Sequence, residues 1–588
     1  MANPKDFFLP EVKGDYTVFR KPLNTATRIE RLIDGLNVFK SQEQAILDAK
    51  DTILFVTWAF EPSMPVVSSS AKRVASTWGE LLLSAASRAS VRILMTDKDP
   101  IFQPLDHAAA WARYRSLVNT ANAQSIDQAD FQVAVARHPA DRPLGLIGML
   151  PEGVNPVSQR LNAILDAAKG KKKDVIFRDF QNLPGLWGYI DPLAGKTLNA
   201  PVASIPGSHH AKFLIIDEQI AFVGGINHIT ANIDDQKHDM PAAPLYQWHD
   251  GALKLQGKIV ADVVDAAFQM WNQFHPLAAK FVTDANKLAL SGMTPLPISN
   301  TTDLKQIGPV GKPPRSGPIG TQVWRTVCST IVNDQPSTTC KDISGGYIQT
   351  IGIAEKFIYI ENQYLRDDAL ADALIKRAKA IKDLNVVIVL PGTAEEVILA
   401  RASNAQIDPI TQQGVNLQHD IIERLNTALG PNLGIFSPMA VGRTMPISNT
   451  TDGTTTNVKR IIYVHTKLMI VDDVFATLGS ANANPRSFQL DTELNVAWHD
   501  PASVRGLRNQ LWREMLGPRS GADGWAAKQY AAKWSKIASA NAKLKGTAGW
   551  QGFIVPYDNS IRFPDVSKAI IPDWLTLADP RDDGTRIA

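Results

Sequence analysis

The sequence predicts an α/β protein built as two similar lobes, each an α/β sandwich, and three observations carry that expectation. At 588 residues the chain exceeds what one hydrophobic core usually supports, so two cores are expected. Predicted helices alternate with short apolar strands, the pattern of a sheet covered by helices. One spacing also occurs twice: His210-Ala211-Lys212 with Asp217 and Asn227, then His465-Thr466-Lys467 with Asp472 and Asn482. Both runs read H-x-K-x-x-x-x-D and are followed by a Gly-led turn ending in asparagine, Gly224-Gly225-Ile226-Asn227 and Gly479-Ser480-Ala481-Asn482. Identical offsets half a chain apart mark a duplicated unit, and they point to phosphodiester chemistry with one histidine from each half.

The elements repeat in order. Gln44 to Lys50 reads as a helix end feeding a strand at Thr52 to Trp58, with a second strand at Val91 to Met95 before the His-Lys strand. In the second half, Ile348 to Glu355 feeds Phe357 to Glu361, and Val386 to Leu390 follows. Between Ser291 and Gly320, Pro295, Pro297, Pro313, Pro314 and Pro318 break any regular pattern. The expected organisation is therefore a lobe with the first motif over 1–300, a linker over 301–320 and a lobe with the second motif over 321–588. The heptapeptide Pro-Ile-Ser-Asn-Thr-Thr-Asp stands at Pro297 to Asp303 and again at Pro446 to Asp452; its composition predicts loop, and nothing physical explains the repetition.

Hydrophobic content of 44% and charged content of 20% describe an ordinary folded protein. A formal net charge of only +3 does not resemble the broad basic field of a nucleic-acid binder, and leaves a local basic pocket open. The N-terminus lacks the apolar core of a Sec signal, and no apolar run is long enough to span a bilayer. The expectation is a chain cytoplasmic as made, exported only by a signal-independent system, which meets any lipid at a surface. Cys328 and Cys340 are too few for a metal-cysteine framework; their separation permits a loop disulfide in an oxidising compartment, with two unrelated thiols as the alternative.

The motif spacing predicts a site. If Ala211 to Ile216 is a strand, alternation sets His210 and Lys212 on one face and Asp217 at the opposite parity; His465, Lys467 and Asp472 repeat this. Histidine and lysine then face the substrate while the aspartate anchors the strand end. A reversal at Glu218-Gln219 would return Asn227 opposite His210, and one at Asp473-Val474 would return Asn482 opposite His465. Two imidazoles with ordinary pKa near about 6.5 supply one nucleophile and one acid. Lysines and asparagines supply the positive potential and donors that a metal provides elsewhere, so no metal and no cofactor is required. Five of the eleven histidines lie between His209 and His249, with Asp234 to Asp239 among them. Their spacing matches no standard metal motif, and a solvated active-site loop is expected.

Both His-Lys-Asp motifs resemble those of the phospholipase D superfamily. Further stretches resemble it too: Tyr359 to Tyr364, Trp248-His249-Asp250 leading to Gly257 and Phe268 to Trp271, Arg486-Ser487 before Thr492-Glu493, and Leu507 to Trp512. Together these span Ala45 to Gly517. The resemblance implies a pseudo-twofold pair of α/β/α lobes with the active site at their interface. It implies that His210 is the nucleophile, forming a phosphohistidine, and that His465 protonates the departing alcohol and later activates water. Asp250 and Glu493 match carboxylates that orient these histidines through the far ring nitrogens. Gly225 stands where the second motif has Ser480, which leaves one substrate contact open. Of Trp58, Trp248, Trp271 and Trp324, only Trp248 is expected at the site. Glu361 and Asn362 are read either as pocket residues or as a buried polar pair.

The function implied is hydrolysis of a glycerophospholipid's distal phosphodiester to phosphatidic acid and a head-group alcohol, with head-group exchange to other alcohols. The expected partner is a phospholipid membrane surface and not nucleic acid, for a monomeric chain. Because the resemblance covers bacterial toxins delivered by type VI secretion, a lipase effector is expected, with secretion machinery or an immunity protein as further partners; a housekeeping cytoplasmic enzyme is the alternative. A nuclease or tyrosyl-DNA phosphodiesterase, a cardiolipin synthase and a non-catalytic phospholipid-binding protein are the competing readings.

Overall fold

The computed structural model describes residues 3–563 except 14–19, 22, 102, 139–141, 144–155, 199–203, 206, 241–245, 306–318, 333–334, 393–408, 449–454 and 545–548. The strands that position the site are β1 (Asn24–Ile33), β2 (Thr52–Thr57), β3 (Ser90–Thr96), β4 (Phe131–Ala136), β5 (Phe213–Ile216), β6 (Ile220–Gly224), β7 (Tyr246–His249) and β8 (Gly251–Gly257). They continue with β9 (Ile319–Val332), β10 (Phe357–Glu361), β11 (Asn385–Val389), β12 (Leu433–Ser448), β13 (Thr455–Val464), β14 (Leu468–Val471), β15 (Phe475–Gly479) and β16 (Glu493–His499).

The chain is an α/β protein in which one strand order occurs twice. In the first half, β4, β3 and β2 run parallel, and β5, β6, β8 and β1 follow antiparallel. In the second, β12, β11 and β10 run parallel, and β14, β15, β16 and β9 follow antiparallel. The parallel strands are apolar at nearly every position because helices cover both faces, among them Gly35–Asp48 before β2 and Asp342–Ile353 before β10. β1 pairs with β9, which joins the two sets into one sheet, and β7 runs parallel to β13, with Trp248 beside Tyr463 and His249 beside Val464.

Trp271 and Trp324 are fully buried in the cores, and the Trp271 indole donates to Thr302 O at 2.9 Å. The first heptapeptide is pinned down rather than loose: Ser299 Oγ accepts from Val133 N, and His275 lies 3.0 Å from Thr301 Oγ1 and 2.8 Å from Asp303 Oδ1. Of the second copy, Pro446 to Ser448 close β12 and the rest lies outside the described residues, as does 306–318 of the expected linker. The loop disulfide that the spacing of the two cysteines permits is not formed, and the alternative of two separate thiols holds. Cys328 and Cys340 are both buried thiols outside any disulfide, because the hairpin register sets Cys340 against Val327 and Cys328 against Thr338. Among the described residues, no helix is long and apolar enough to cross a membrane.

Candidate active site

Both motif histidines sit just before a strand rather than within it. β5 starts only at Phe213 and β14 only at Leu468, because the preceding residues pair elsewhere. Ala211 N donates to Thr492 O at 2.8 Å, and His465 N donates to His249 O at 2.8 Å. Each motif is thus laid beside a residue of the other half, Thr492 just before β16 or His249 at the end of β7, whose next neighbour in sequence is a carboxylate. The result is a crossed pair of contacts: His210 Nδ1 lies 2.7 Å from Glu493 Oε1, and His465 Nδ1 lies 2.6 Å from Asp250 Oδ2. With Nδ1 engaged, the neutral tautomer carries its lone pair on Nε2. Neither His210 Nε2 nor His465 Nε2 has a hydrogen-bond partner among the described residues.

The lysines are buried with them. Lys212 Nζ donates to His210 O at 2.8 Å and Lys467 Nζ to His465 O at 2.6 Å, so each ammonium is folded back beside its own histidine. Burial, then Lys212 and Lys467, hold His210 well below the usual histidine range; burial, then Lys467 and Lys212, do the same to His465. The crossed carboxylate contacts bring the two motifs into one small space. Burial raises Glu493, and it pushes Asp250 up to about 7 against the pull of Lys467. An anionic phosphodiester entering this space would offset the ammonium charges and favour an imidazolium.

Asp217 and Asp472 act elsewhere. Asp217 accepts from the backbone amides of Lys50, Asp51 and Thr52, and Asp472 from those of Glu355, Lys356 and Phe357, tying each motif strand to the start of the neighbouring parallel strand. They also open the turns. Asp217 and Glu218 have φ of 53°, and Asp472 and Asp473 have φ of 56° and 60°. These three-residue turns set Ile216 against Ile220 and Val471 against Phe475, one step from the two-residue reversal expected. The asparagines therefore do not return opposite the histidines within the sheet. Instead the chain leaves after Gly224 and Gly479 and runs beside the segment beyond the first parallel strand, with Phe60 against His228 and Leu365 against Ala483. Asn227 and Asn482 are fully buried there, and neither amide atom of Asn227 has a partner among the described residues.

Gly225 and Ser480 are not placed as substrate contacts. Ser480 Oγ donates to Glu493, while a Cβ at Gly225 would stand 2.5 Å from Asp250 Oδ1. The shorter aspartate leaves no room for a hydroxyl and takes Gly251 N at 2.7 Å instead. Trp248 is buried with its ring 4.6 Å from that of His465. Glu361 is not brought to the motif histidines: its carboxylate meets His249 Nε2 at 3.1 Å and accepts from the Tyr359 hydroxyl. Asn362 Oδ1 accepts from Tyr364 N and Ala483 N and so braces the loop beside Asn482.

Comparison with known proteins fits this geometry. Residues 442–515, which hold His465, Lys467, Asn482 and Glu493, match the family described as "Cardiolipin synthase, PLD-like domain". Phospholipase D beta 1 of Arabidopsis thaliana is 24% identical over 63% of this chain and 44% of its own length. Cardiolipin synthase of Clostridium perfringens is 23% identical over 52% of this chain and 49% of its own. These similarities support the phospholipase D superfamily. The chain spans about half the length of the curated relatives it matches. The phosphatidylserine synthase of Haemophilus influenzae, a solved structure, covers 89% of this chain and 97% of its own at 12% identity, with a TM-score of 0.46.

Several residues at the site escaped sequence reasoning. Trp58, at the end of an apolar strand, stands edge-on to His210 with ring centroids 6.3 Å apart. Arg486 grips Asp491 at 2.9 and 2.8 Å, and Asp491 accepts from Ser208 N, bracing the residues before His210. Gln363 Oε1 accepts from Lys467 Nζ at 3.3 Å. Trp58, Asp99, Gln103, Ser208 and Arg486 line a pocket that reaches His210. The segment from Asp234 to Asp239 is not solvated throughout: Asp234 and His238 turn fully inward, where His238 meets Asp234 at 2.6 Å and Glu514 at 3.2 Å. His238, His249 and Glu514 are metal-ligating residue types brought together.

Proposed function

We propose that the chain is a phospholipase D, which hydrolyses the distal phosphodiester of glycerophospholipids to phosphatidic acid and a head-group alcohol. The observation that supports this best is the pair of buried imidazoles, each fixed at Nδ1 by a carboxylate of the other half and bare at Nε2. His210 Nε2 attacks phosphorus, and the head-group oxygen leaves with a proton from His465. His465, now neutral, takes a proton from water as that water displaces the phosphohistidine and frees His210. Lys212, Lys467, Asn227 and Asn482 donate to the non-bridging oxygens, where charge builds up in the transition state. An alcohol can replace water in the second step, which gives head-group exchange.

The experiment is mass spectrometry of mixed phosphatidylcholine, phosphatidylethanolamine and phosphatidylglycerol vesicles incubated with the protein and a primary alcohol. Phosphatidic acid with the matching phosphatidyl alcohol is expected. Cardiolipin as the main product would favour a synthase, unchanged lipid with cleavage of DNA a nuclease, and vesicle binding without turnover a phospholipid-binding protein.

The same reading extends to an effector that acts on a bilayer outside its own cytoplasm, since unchecked phospholipid hydrolysis harms the cell that makes it. Cys328 and Cys340, which form no disulfide, lend it no support. Expression in bacteria with and without an added periplasmic signal, beside His210→Ala, tests it. Growth arrest confined to the intact, periplasm-directed form is expected, and its harmless accumulation would reject the effector reading.

A further inference from the structure

We propose that the cluster behind Asp250 is a structural site for one divalent ion of the zinc class, held by His238, His249, Glu514 and Asp34. It is distinct from the pair of carboxylates that hold His210 and His465, which are Glu493 and Asp250.

The ligand atoms of His238, His249 and Glu514 lie within 4.8 Å of one another, and all three residues are buried. Glu514 Oε1 is 3.2 Å from His238 Nε2 and 2.8 Å from His249 Nδ1, and Asp34 Oδ1 is 3.0 Å from the same His249 nitrogen. Tetrahedral zinc with bonds of about 2.0–2.2 Å sets its ligands roughly 3.4 Å apart, so small adjustments would admit an ion.

The surroundings also fit. Metal-bound histidines hand their other ring nitrogen to a carboxylate, which fixes the tautomer. Here His238 Nδ1 lies 2.6 Å from Asp234 Oδ2, and His249 Nε2 lies 3.1 Å from Glu361 Oε2. Asp34 Oδ2, Asp234 Oδ1 and Glu514 Oε2 are buried without a hydrogen-bond partner among the described residues. The cluster gathers four carboxylates, Asp34, Asp234, Glu361 and Glu514, around two imidazoles. Asp34 is held at φ 62°, a conformation that non-glycine residues rarely adopt and that persists only when its surroundings fix it. Two nitrogens with two oxygens suit zinc, whereas calcium and magnesium take oxygen ligands alone.

The site would have a positioning role. Asp34 N donates to Asp250 O, and His249 O accepts from both His465 N and Thr466 N, so an ion here fixes from behind the strand end that presents Asp250.

The test is elemental analysis of the full-length protein as purified, followed by stripping with a chelator and titration with Co2+. One zinc-class ion per chain is expected, as is a visible tetrahedral Co2+ absorption that saturates at one equivalent and is displaced by Zn2+. His238→Gln and Glu514→Gln should weaken Co2+ binding at least roughly tenfold, while His465→Asn should keep it. Absence of bound metal together with no Co2+ absorption in the wild-type chain would overturn the proposal and leave a hydrogen-bonded imidazolium–carboxylate network. That comparison needs no variant to fold. Binding of Ca2+ alone would contradict the donor-set argument.

Discussion

His210 Nδ1 lies 2.7 Å from the carboxylate of Glu493, 283 residues further along the chain, while His465 leans on Asp250. Each half of the chain thus supplies the group that orients the other half's histidine. Glu493→Gln removes the acceptor charge without changing shape and leaves Lys212 and Lys467 in place. It should lower kcat by about 10²–10⁴-fold with little effect on KM, as should Asp250→Asn. Steady-state kinetics on vesicles checks this, and an effect confined to KM would contradict an orienting role.

The lysines hold both imidazoles below the usual range after burial has already done so. A neutral His210 should therefore persist at pH values below the ordinary histidine pKa of about 6.5, so the acid limb of kcat/KM should fall below it. In Lys467→Met one repelling charge is gone and the imidazolium is less disfavoured. That limb should move to higher pH, alongside a loss in rate; movement to lower pH would contradict the assignment.

The strands and the repeated unit were legible because apolar runs and fixed offsets survive in any register. The histidine–asparagine geometry was not. It assumed a two-residue reversal, whereas Asp217-Glu218 and Asp472-Asp473 adopt left-handed conformations that add a residue to each turn and shift the register by one. The two carboxylates were reached only through resemblance and their crossing was not anticipated, since no local pattern links residues so far apart in sequence. The partner of Glu361 was not legible for a related reason: His249 is fixed by the packing of β7 against β13, which sequence spacing does not encode.

The asymmetry between Gly225 and Ser480 gives a contrast between matched positions. Gly225→Ala drives a Cβ to 2.5 Å from Asp250 Oδ1 and should displace that carboxylate, costing about 10²-fold or more in kcat. Ser480→Ala removes one hydroxyl donor from Glu493 and should cost about tenfold or less. The reverse order in parallel assays would show that the two carboxylates are not held as described.

Asp472 gathers three successive backbone amides at the start of β10. Asp472→Ala leaves those donors without their charged acceptor and should lower stability by about 2–4 kcal/mol, while folded protein keeps most of its activity. Denaturant midpoints paired with active-site titration check this; a normal midpoint with lost turnover would place Asp472 in the chemistry.

Acid-quench trapping with phosphorus-labelled lipid addresses the shared two-histidine site most directly. Label is expected on His210 in the wild-type chain and absent from His210→Ala, and the two single His→Ala variants and the double variant should all lose turnover to a similar extent because the pair acts as one unit. Label found on His465 alone, or near-normal turnover in either single variant, would contradict it.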